Sequence, residues 1–555
     1  MKSHYKKLVQ LADRGVELTL KRQCKDPMDR EYGGYPDMRK GFTEPSAGPG
    51  SAHALAVLYY NENSAYHRDK RLLEAANLAM DFTLRVQNDD GTLDLVETNF
   101  HCAATVGFTL QNFIPGYRVV KKYNQHTESE DELQAKFLTY IENSARGMMT
   151  GGFHTPNHRW VIASALSLCY NELGNEDFLT EIDLYLNEGI DCNEDGEWTE
   201  RSAGVYNKVN NDGMIIMAEE LGKWELLEAT QRNLYMMFTY LEPDDTICTM
   251  NSHRQDFGMK MYPMRYYENY LMTAHYLKNK HFAYMADHLF NMVNDFPKDS
   301  GPLNAGTIPK CIARYMLQDF LRNNELEKES YDWTEFEEFY KDSNIVRKRK
   351  GDIVTTIMGD SPLFCKFQKG RNQVAFRFAS SFFGTKGRFT PDSLVEIEGG
   401  YRLHYRSDWG YVRPLGRPDH PTKDGHTNID HRETSNMQVF EVNIDILPSD
   451  DGMQLVIDSM GVENLPCKLE MIFEPDGFFD SAQAEFKAIE GQHIMLRYGK
   501  FDYIKGHDKI RIDGAFGETN YHSDLRGSLP EVPKAFTVYF TAWSPTKRII
   551  NIKGI

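Results

Sequence analysis

The spacing of apolar residues in this 555-residue chain changes near residue 340. Before that point apolar residues recur at helical spacing, in long segments separated by short polar or glycine-containing turns. After it they alternate with polar residues, in short segments bounded by Gly, Asp and Pro. Because a helix repeats every 3.6 residues and a strand every 2.0, the sequence predicts a helical part followed by a β part.

Amphipathic helices account for most of the first part. Helices joined by short turns pack as antiparallel pairs, which fit either an open solenoid or a ring closed on itself, the α/α toroid. The periodicity by itself favours neither arrangement. The predicted helices cover 5–21, 72–86, 133–149, 161–173, 213–221, 224–241, 266–277, 282–293 and 311–321.

The β part is predicted to be an antiparallel β-sandwich of about 200 residues. Between the two parts, residues 324–352 combine an acidic run with the basic cluster Arg347-Lys348-Arg349-Lys350, and we interpret this stretch as a linking helix. The predicted domains are therefore a toroid over 1–340 and a sandwich over 350–555. The predicted strands cover 353–358, 373–379, 401–405, 437–446, 453–460, 469–473, 493–498, 509–512 and 535–542.

The net charge of −18 makes nucleic acid an improbable partner. An acidic protein can still bind an anionic substrate where Arg and His residues form a local positive cleft. No apolar run reaches the ~18 residues of a membrane span, and the N-terminus lacks the apolar core of a signal peptide, so we expect a cytoplasmic protein. The eight cysteines include no Cys-x-x-Cys pair, so we expect reduced thiols rather than disulfides or a zinc finger.

The segment 151–160 contains the strongest functional signal. Thr155 can serve as the N-cap of a helix and Pro156 suits its first position, which places Asn157 and His158 in the first turn. The positive end of the helix dipole favours bound anions there and disfavours imidazolium. His158 is therefore predicted to be neutral, as a general base must be.

Three further clusters of His, Asn, Arg and Tyr precede predicted helices. If the helices form a toroid, the loops before alternate helices lie on one rim, and the clusters converge on one cleft. Two clusters in the β part are candidates to close that cleft. Beside Asn157 and His158, the candidate catalytic residues are Arg201 and Tyr206, and the candidate substrate-binding residues are Asn99, His101, Trp160, His253, Arg254, Arg265, Tyr266, His404 and Tyr405.

These side chains suit the cleavage of a uronic-acid glycoside by β-elimination. That reaction requires neutralisation of the C6 carboxylate, removal of the C5 proton and protonation of the departing O4. Hydrolysis would instead require two carboxylic acids flanking the bond, and Asp94, Glu97 and Glu200 are available for it. A hydrolase on the same toroid and a non-catalytic carbohydrate-binding protein therefore remain alternatives.

The segments 98–101 and 154–160, followed some fifty residues later by Glu200-Arg201-Ser202-x-Gly204-x-Tyr206, resemble those of the α/α-toroid polysaccharide lyases, the group with heparinase II/III-like, alginate and glucuronan lyases. The resemblance implies that Asn157, with His101 or Arg201, holds and neutralises the carboxylate. It further implies that His158 is the base or a second neutralising group and that Tyr206 is the acid. In a syn elimination Tyr206 would perform both proton transfers.

The expected partner is a uronate-containing oligo- or polysaccharide, and a homodimer is an open possibility. The missing leader favours imported oligosaccharides over polymers. No cofactor is required by the expected reaction. The resemblance leaves room for a structural zinc or calcium ion, for which His404, Asp408 and His431 are the available ligands.

Overall fold

The computed structural model describes residues 2–292, 307–323, 325–414, 432–519 and 525–555. The chain forms two compact units. The first comprises Met1–Phe238 and Ile247–Tyr331, and the second comprises Thr239–Thr246 and Asp332–Ile555. The division therefore lies before the boundary predicted at 340, and a short segment from the helical part of the sequence belongs to the second unit.

The first unit is helical, with one β-hairpin. Each predicted helical segment contains a helix, although the segment 5–21 is interrupted at residues 14–15 and the segment 311–321 at residue 318. The hairpin is formed by β1 (Leu93–Leu95) and β2 (Asn99–Cys102). The helices are α1 (Lys2–Asp13), α2 (Val16–Arg22), α3 (Ala47–Tyr60), α4 (Lys70–Val86), α5 (Ala103–Tyr123), α6 (Glu128–Thr150), α7 (Pro156–Leu173), α8 (Asp177–Asn187), α9 (Tyr206–Leu221), α10 (Leu227–Thr239), α11 (Tyr267–Leu277), α12 (Lys280–Met292), α13 (Thr307–Leu317) and α14 (Asp319–Asn323).

Two of these helices, α3 and α8, were absent from the prediction, and α5 was expected only as a helix without stated bounds after the cluster 97–101. Both α3 and α5 are buried on most of their circumference, so their sequences carry no polar stripe at helical spacing. Helix α5 also contains Pro115, which is a helix-breaking signal in sequence. Helix α8 is short, and its polar residues resemble a loop.

Helices α5 and α7 run parallel to each other. Near the start of the pair, Gln111 Nε2 donates to Ser164 Oγ over 2.7 Å. Further along, Arg118 Nε donates to Glu172 Oε1 over 2.6 Å. The two contacts join residues that are 53 and 54 positions apart in sequence, so the helices run in the same direction. Since the first residues of the two helices are separated by nearly the same number of positions, the helices begin at the same level.

The same relation holds for the next two helices, so α5, α7, α9 and α11 all point in one direction. Their N-termini therefore lie at one end of the unit. The contacts that establish this are Trp160 with Gly213 and Asn171 with Glu220 between α7 and α9, and Asp212 with Asn269 and Glu219 with Tyr276 between α9 and α11.

Helix α13 closes the ring of helices. It packs against α1, α3 and α5 near the start of the chain. Its Arg314 also forms ion pairs with Glu219 of α9 and Glu268 of α11, each at 2.8 Å. An open solenoid would leave the first and last helices apart, so the helical unit is an α/α toroid. No helix of the described part of the chain is long and apolar enough to cross a membrane.

The second unit is a β-sandwich of two sheets. The nine-stranded sheet has the order β14-β13-β16-β17-β19-β11-β10-β9-β8, and the eight-stranded sheet has the order β15-β18-β12-β7-β6-β5-β4-β3. Apolar residues of both sheets form one core. The strands are β3 (Glu335–Tyr340), β4 (Ile345–Lys350), β5 (Ile353–Met358), β6 (Cys365–Lys369), β7 (Asn372–Ser380), β8 (Ser393–Ile397), β9 (Gly400–Val412), β10 (Thr434–Pro448), β11 (Gly452–Gly461), β12 (Leu465–Phe473), β13 (Phe478–Ser481), β14 (Glu485–Lys487), β15 (His493–Met495), β16 (Tyr498–Lys505), β17 (Asp508–Phe516), β18 (Phe536–Ser544) and β19 (Thr546–Gly554).

The linking helix predicted over 324–352 is wrong. This stretch contains β3 and β4, which pair antiparallel at the edge of the eight-stranded sheet. The acidic run and the basic cluster lie opposite each other, with Glu337 facing Lys348 and Glu335 facing Lys350. Opposite charges across a strand pair stabilise it, so a pattern that looked like a solvated helix is instead a complementary hairpin.

A buried ion pair holds the segment Thr239–Thr246 in the second unit. The side chains of Glu242 and Arg347 are both fully buried, and Arg347 Nη2 lies 3.1 Å from Glu242 Oε2. Lys366 Nζ lies 3.1 Å from the other carboxylate oxygen. Burial alone would raise the pKa of Glu242, but the two cations outweigh it and lower that pKa to about 2.

We predict that Glu242→Gln lowers the free energy of unfolding of the second unit by about 3–5 kcal/mol, because it leaves the Arg347 charge buried and under-compensated. Since the folded pKa of Glu242 lies below its ordinary value of 4.5, its contribution is present above pH 4.5 and is lost as the pH falls towards 2. Calorimetry of the intact chain measures both effects.

The matched control is Glu335→Gln, which removes the exposed ion pair with Lys350. Exposed pairs contribute little, so this change should alter stability by at most about 1 kcal/mol. Equal effects of the two substitutions would contradict the importance assigned to the buried pair.

Candidate active site

The predicted clusters before α5, α7 and α9 lie on one rim of the first unit, because these helices are parallel and begin at the same level. Gly151, just before α7, lies so close to Ala103 at the start of α5 that a side chain on Gly151 would collide with it. The fourth cluster joins them through the backbone, since His253 N donates to the carbonyl oxygen of Glu200 over 3.1 Å.

Asn157 and Glu200 form the buried centre of this rim. Asn157 Nδ2 donates to both carboxylate oxygens of Glu200, over 3.0 and 2.8 Å, and its backbone N–H donates to the same group over 3.2 Å. Asn157 is fully buried, and Glu200 is 4% exposed. Burial raises the pKa of Glu200, although Asn157 and Arg254 act in the opposite direction.

This geometry corrects the role predicted for Asn157. A residue that is fully buried and has its amide hydrogens directed at Glu200 cannot also bind a substrate carboxylate. Asn157 instead positions Glu200 from beneath the site. Its Oδ1 atom is buried and has no hydrogen-bond partner among the described residues.

Arg254 and Tyr206 lie closer to the surface than Asn157 and Glu200, and both are partly exposed. The guanidinium of Arg254 lies 3.3 Å from Glu200 Oε1 and 5.0 Å from the centre of the Tyr206 ring. Gln255 Nε2 donates to the hydroxyl of Tyr206 over 2.8 Å. The phenol oxygen therefore accepts a hydrogen bond and keeps its own proton available, next to a fixed positive charge.

His158 lies one residue beyond Asn157 and is 8% exposed. Its ring meets the ring of His154 edge-on at 4.7 Å and that of Phe108 at 5.9 Å. Its Nδ1 atom is buried and has no hydrogen-bond partner. Burial, with the nearby His154 and Arg254, lowers the pKa of His158 to about 4. The predicted neutral imidazole is therefore consistent with the geometry, and burial is its main cause.

The loop that leads into α9 is held by Asp256. This carboxylate is 1% exposed and accepts hydrogen bonds from Ser202 Oγ over 2.8 Å and from the backbone N–H of Gly204 over 2.9 Å. Ser202 Oγ in turn accepts the backbone N–H of Tyr206 over 3.1 Å. Asp256 thus fixes the first turn of the helix that carries Tyr206.

Two residues predicted to bind substrate, Trp160 and Tyr266, lie inside the packing of the toroid instead. Trp160 is fully buried and donates through Nε1 to Asp191 over 2.6 Å. Tyr266 is also fully buried, and its hydroxyl donates to the carbonyl of Ala203 over 2.6 Å. Arg265 Nη1 donates to the backbone carbonyl of Gly204 in the same loop over 2.5 Å. Tyr266 and Arg265 support the loop before Tyr206. Arg265 is only half-buried, and its contact with substrate stays a prediction.

The remaining candidates of the first unit lie at the surface of the rim. Asn99 and His101 belong to β2, and His101 pairs at 2.7 Å with Asp90 of the turn before β1. Arg201 is half-buried in the loop before α9, with a left-handed backbone at φ +50°. His253 is exposed beside Arg254. All four remain candidates for contact with substrate.

The two candidates of the second unit have partners inside that unit. His404 Nδ1 lies 3.0 Å from Asn443 Oδ1 on the paired strand β10. The hydroxyl of Tyr405 donates to the carbonyl of Lys386 over 2.6 Å. Their predicted role in completing the site stays a prediction.

The ligand set considered for a metal ion is only partly described. His431 lies outside the described residues. His404 and Asp408 are four residues apart on one strand, a separation of roughly 13 Å, so they do not share an ion directly. Within the described ranges, no three His, Cys, Asp or Glu side chains are grouped to hold one.

Sequence reasoning did not assign the roles of Gln255 and Asp256, or the positioning contact of Glu200. Glu200 and Asn157 are 43 residues apart in sequence, and nothing local links them. Asp256 carried a weak signal, since it follows Ser252 by four residues in a cluster that was already singled out. Only the packing of the loops shows that its partners include Ser202 and Gly204.

No protein-family model and no curated protein matches the sequence. Solved structures do match. The fold is similar to a heparan sulfate lyase HepC mutant from Pedobacter heparinus, with a TM-score of 0.51 and 10% identity over 91% of this chain and 75% of that one. It is similar to a Paenibacillus xanthan lyase, with a TM-score of 0.56 and 8% identity over 99% of this chain and 57% of that one. It is also similar to the Streptomyces coelicolor A3 chondroitin AC lyase, with a TM-score of 0.54 and 9% identity over 99% of this chain and 79% of that one.

The chain has the fold of the α/α-toroid polysaccharide lyases. The predicted fold class, a helical toroid followed by an antiparallel β-sandwich, is confirmed. The chain spans little more than half the length of the xanthan lyase. At this level of identity the likeness establishes the fold alone, so the chemistry has to be inferred from the side chains on the rim.

We predict that His158 titrates with a pKa of about 4 in the folded protein, because its imidazole is buried beside Arg254. NMR of ¹⁵N-labelled histidine, assigned by comparison with His158→Gln, measures this value. His101 is the internal control, since its partner Asp90 raises its pKa above 6.5. A His158 pKa near or above 6.5 would show that the ring is solvated and can carry charge at neutral pH.

Proposed function

We propose that this protein is a lyase that cleaves uronate-containing oligo- or polysaccharides by β-elimination. The observation that carries the proposal is the Tyr206 hydroxyl, which accepts a hydrogen bond from Gln255 while the Arg254 guanidinium lies over its ring. A proton donor beside a fixed cation, at the helix-start rim of a toroid, suits a substrate that carries a carboxylate. The likeness in fold to polysaccharide lyases supports the same class of reaction.

In the proposed reaction, Arg254 neutralises the uronate carboxylate, with Arg201 as a second cation of the rim. Neutralisation makes the C5 proton acidic, because the negative charge that develops on C5 spreads onto the carboxylate. Glu200, which Asn157 holds in place, faces the guanidinium of Arg254 and positions it. The assignment uses only protein side chains, so it requires no metal ion.

The proton transfers are assigned to His158 and Tyr206. His158 in its neutral form removes the C5 proton, and the electron pair of that bond forms the C4–C5 double bond. The C4–O4 bond breaks, and O4 takes the proton of the Tyr206 hydroxyl. In a syn elimination, Tyr206 would perform both transfers. The two mechanisms differ in the effect of His158→Gln, which should lower kcat strongly only if His158 is the base.

Hydrolysis has weaker support from the same rim. It requires two carboxylic acids on opposite sides of the scissile bond. Glu197 and Glu200 are 2% and 4% exposed and accept hydrogen bonds from Asn side chains. Asp94 and Glu97, on the hairpin, are engaged by Asn88 and Lys40. Of the four, only Glu97 is well exposed, and it is paired with Lys40, so no two open carboxylic acids face each other as hydrolysis requires.

The function is tested by incubating the protein with a panel of uronate polysaccharides and their oligomers. Elimination creates a conjugated double bond, so we expect a product that absorbs in the ultraviolet. New reducing ends without ultraviolet absorbance would identify a hydrolase. Binding with neither product would identify a carbohydrate-binding protein.

We predict that Tyr206→Phe reduces kcat by about 100-fold or more, because it removes the proton that O4 requires. Substrate binding should be retained, since the ring and its contact with Arg254 remain. The matched control is Tyr170→Phe, which removes a surface hydroxyl bonded to Glu176 and should leave kcat unchanged. Full activity of Tyr206→Phe would exclude Tyr206 as the acid.

We predict that Arg254→Gln reduces kcat/KM by about 100-fold or more, because the charge that develops on the carboxylate loses its cation. Arg254→Lys should recover only part of this loss, since an ammonium group lacks the planar fork of a guanidinium. Steady-state kinetics on the best substrate of the panel measure both. Arg71→Gln, which disrupts an exposed ion pair with Asp69, is the control.

A further inference from the structure

Besides Arg254 and Arg201, the hairpin before α5 carries a further basic group, His101, that the proposed reaction does not use. We infer that Asp90 and Asp94 fix the orientation of the His101 imidazole and that this ring binds the anionic substituent of a sugar next to the cleaved uronate. The inference rests on the proposed function, because it places an acidic glycan on the rim. It adds a subsite, and with it a preference for glycans that carry negative charge on consecutive residues.

His101 is held in one orientation by two carboxylates. Its Nδ1 atom lies 2.7 Å from Asp90 Oδ2, and its backbone N–H donates to Asp94 Oδ1 over 2.7 Å. Its backbone is left-handed, with φ +48°, a conformation that is uncommon for residues other than glycine. The two hydrogen bonds hold the residue in this conformation.

The two carboxylates are themselves held by residues of the turn that precedes β1. Thr92 donates to Asp90 Oδ1 through its backbone N–H over 2.9 Å and through its hydroxyl over 2.5 Å. Asn88 Nδ2 donates to Asp94 Oδ1 over 2.9 Å. Gly91, at φ +89°, lies directly against the carbonyl of Asn143 in α6, where no other residue would fit. The orientation of His101 is therefore set by the packing of the toroid.

This arrangement determines which ring nitrogen meets a ligand. Nδ1 donates its hydrogen to Asp90, so Nε2 is the nitrogen left for a ligand, and the side chain is 64% exposed. Asp90, and to a smaller extent Asp94, raises the pKa of His101, which favours the form in which Nε2 also carries a hydrogen. That form offers an anion a charged hydrogen-bond donor.

No other charged group in the described surroundings reverses this effect. The first turn of α5 contains no charged residue. Lys40 lies at the turn of the hairpin, where it is neutralised by Glu44 and Glu97. On α6, Arg146 donates to Asn143. The charge of His101 is therefore governed by Asp90 and Asp94.

The position of His101 fits a neighbouring subsite. It precedes Ala103, the first residue of α5, by two residues, and α5 begins at the level of Asn157 in α7. His101 thus lies on the same rim as Arg254 and Tyr206 but on another loop. In a chain with a net charge of −18, such a fixed cation is a specific attraction for an acidic sugar.

The charge of His101 is tested with Asp90→Asn, which keeps an acceptor for Thr92 and removes the carboxylate. We predict that the pKa of His101 falls towards 6.5 and that KM at pH 7.5 rises about fivefold, while kcat changes less than about twofold. At pH 5.5, where His101 is charged in both proteins, the difference in KM should disappear. His101→Arg, with its permanent charge, should restore a low and pH-independent KM in the Asp90→Asn background.

The matched control is Asp131→Asn. Asp131 lies 3.0 Å from Nδ1 of His126, whose backbone is also left-handed, but this pair follows the opposite end of α5. The control should leave KM unchanged. An unchanged KM and His101 titration in Asp90→Asn, or an equal rise in KM for both variants, would overturn the inference.

A binding measurement separates this inference from the proposed function. The imidazole signals of His101 are followed by NMR as D-glucuronate, glucose 6-sulfate or glucose is added to the wild-type protein. A shift with either anionic sugar and none with glucose supports the subsite and identifies carboxylate or sulfate as its ligand. Equal responses to all three sugars, or none, would overturn it. If no polysaccharide yields an unsaturated product, the lyase proposal fails while this measurement still decides the subsite.

Discussion

The buried carboxylate of Glu200 joins the three chain segments on which the rim depends. The Glu200 side chain accepts a hydrogen bond from the amide of Asn157 at the start of α7 and faces the guanidinium of Arg254. The backbone carbonyl of Glu200 accepts a hydrogen bond from the N–H of His253. A buried carboxylate is costly unless it is paired and hydrogen-bonded, so these partners are held where the carboxylate requires them. The position of Arg254 over Tyr206 follows from this constraint, because both groups are anchored around the same loop.

The parallel direction of α5, α7, α9 and α11 explains how an acidic chain presents cations at one place. Each of these helices begins at the same end of the ring, so the loops before them share one rim. His101, Arg201 and Arg254 come from three of these loops and lie within a protein whose net charge is −18. In the proposed function these three basic groups would meet the negative charges of the glycan.

Burial divides the predicted site residues into two groups. Tyr206 and Arg254 keep polar atoms at the surface of the rim, whereas Asn157, Trp160 and Tyr266 are completely buried. The sequence pattern could not separate these groups, because a polar or aromatic residue at a helix start can face either the cleft or the packing of the next helix. The same ambiguity affected residues 324–352, where complementary charges suggested a solvated helix and the structure has a strand pair.

The sequence by itself determined the order of the architecture, the location of most helices and strands, and the clusters from which the site is built, because periodicity and helix-start signals are local properties of the chain. Tertiary structure alone decided that the ring closes through α13, that Glu200 pairs with Asn157, and that Asp90 orients His101. The first and second of these contacts join residues far apart in sequence. All three depend on how helices and loops pack, and no local pattern encodes that packing.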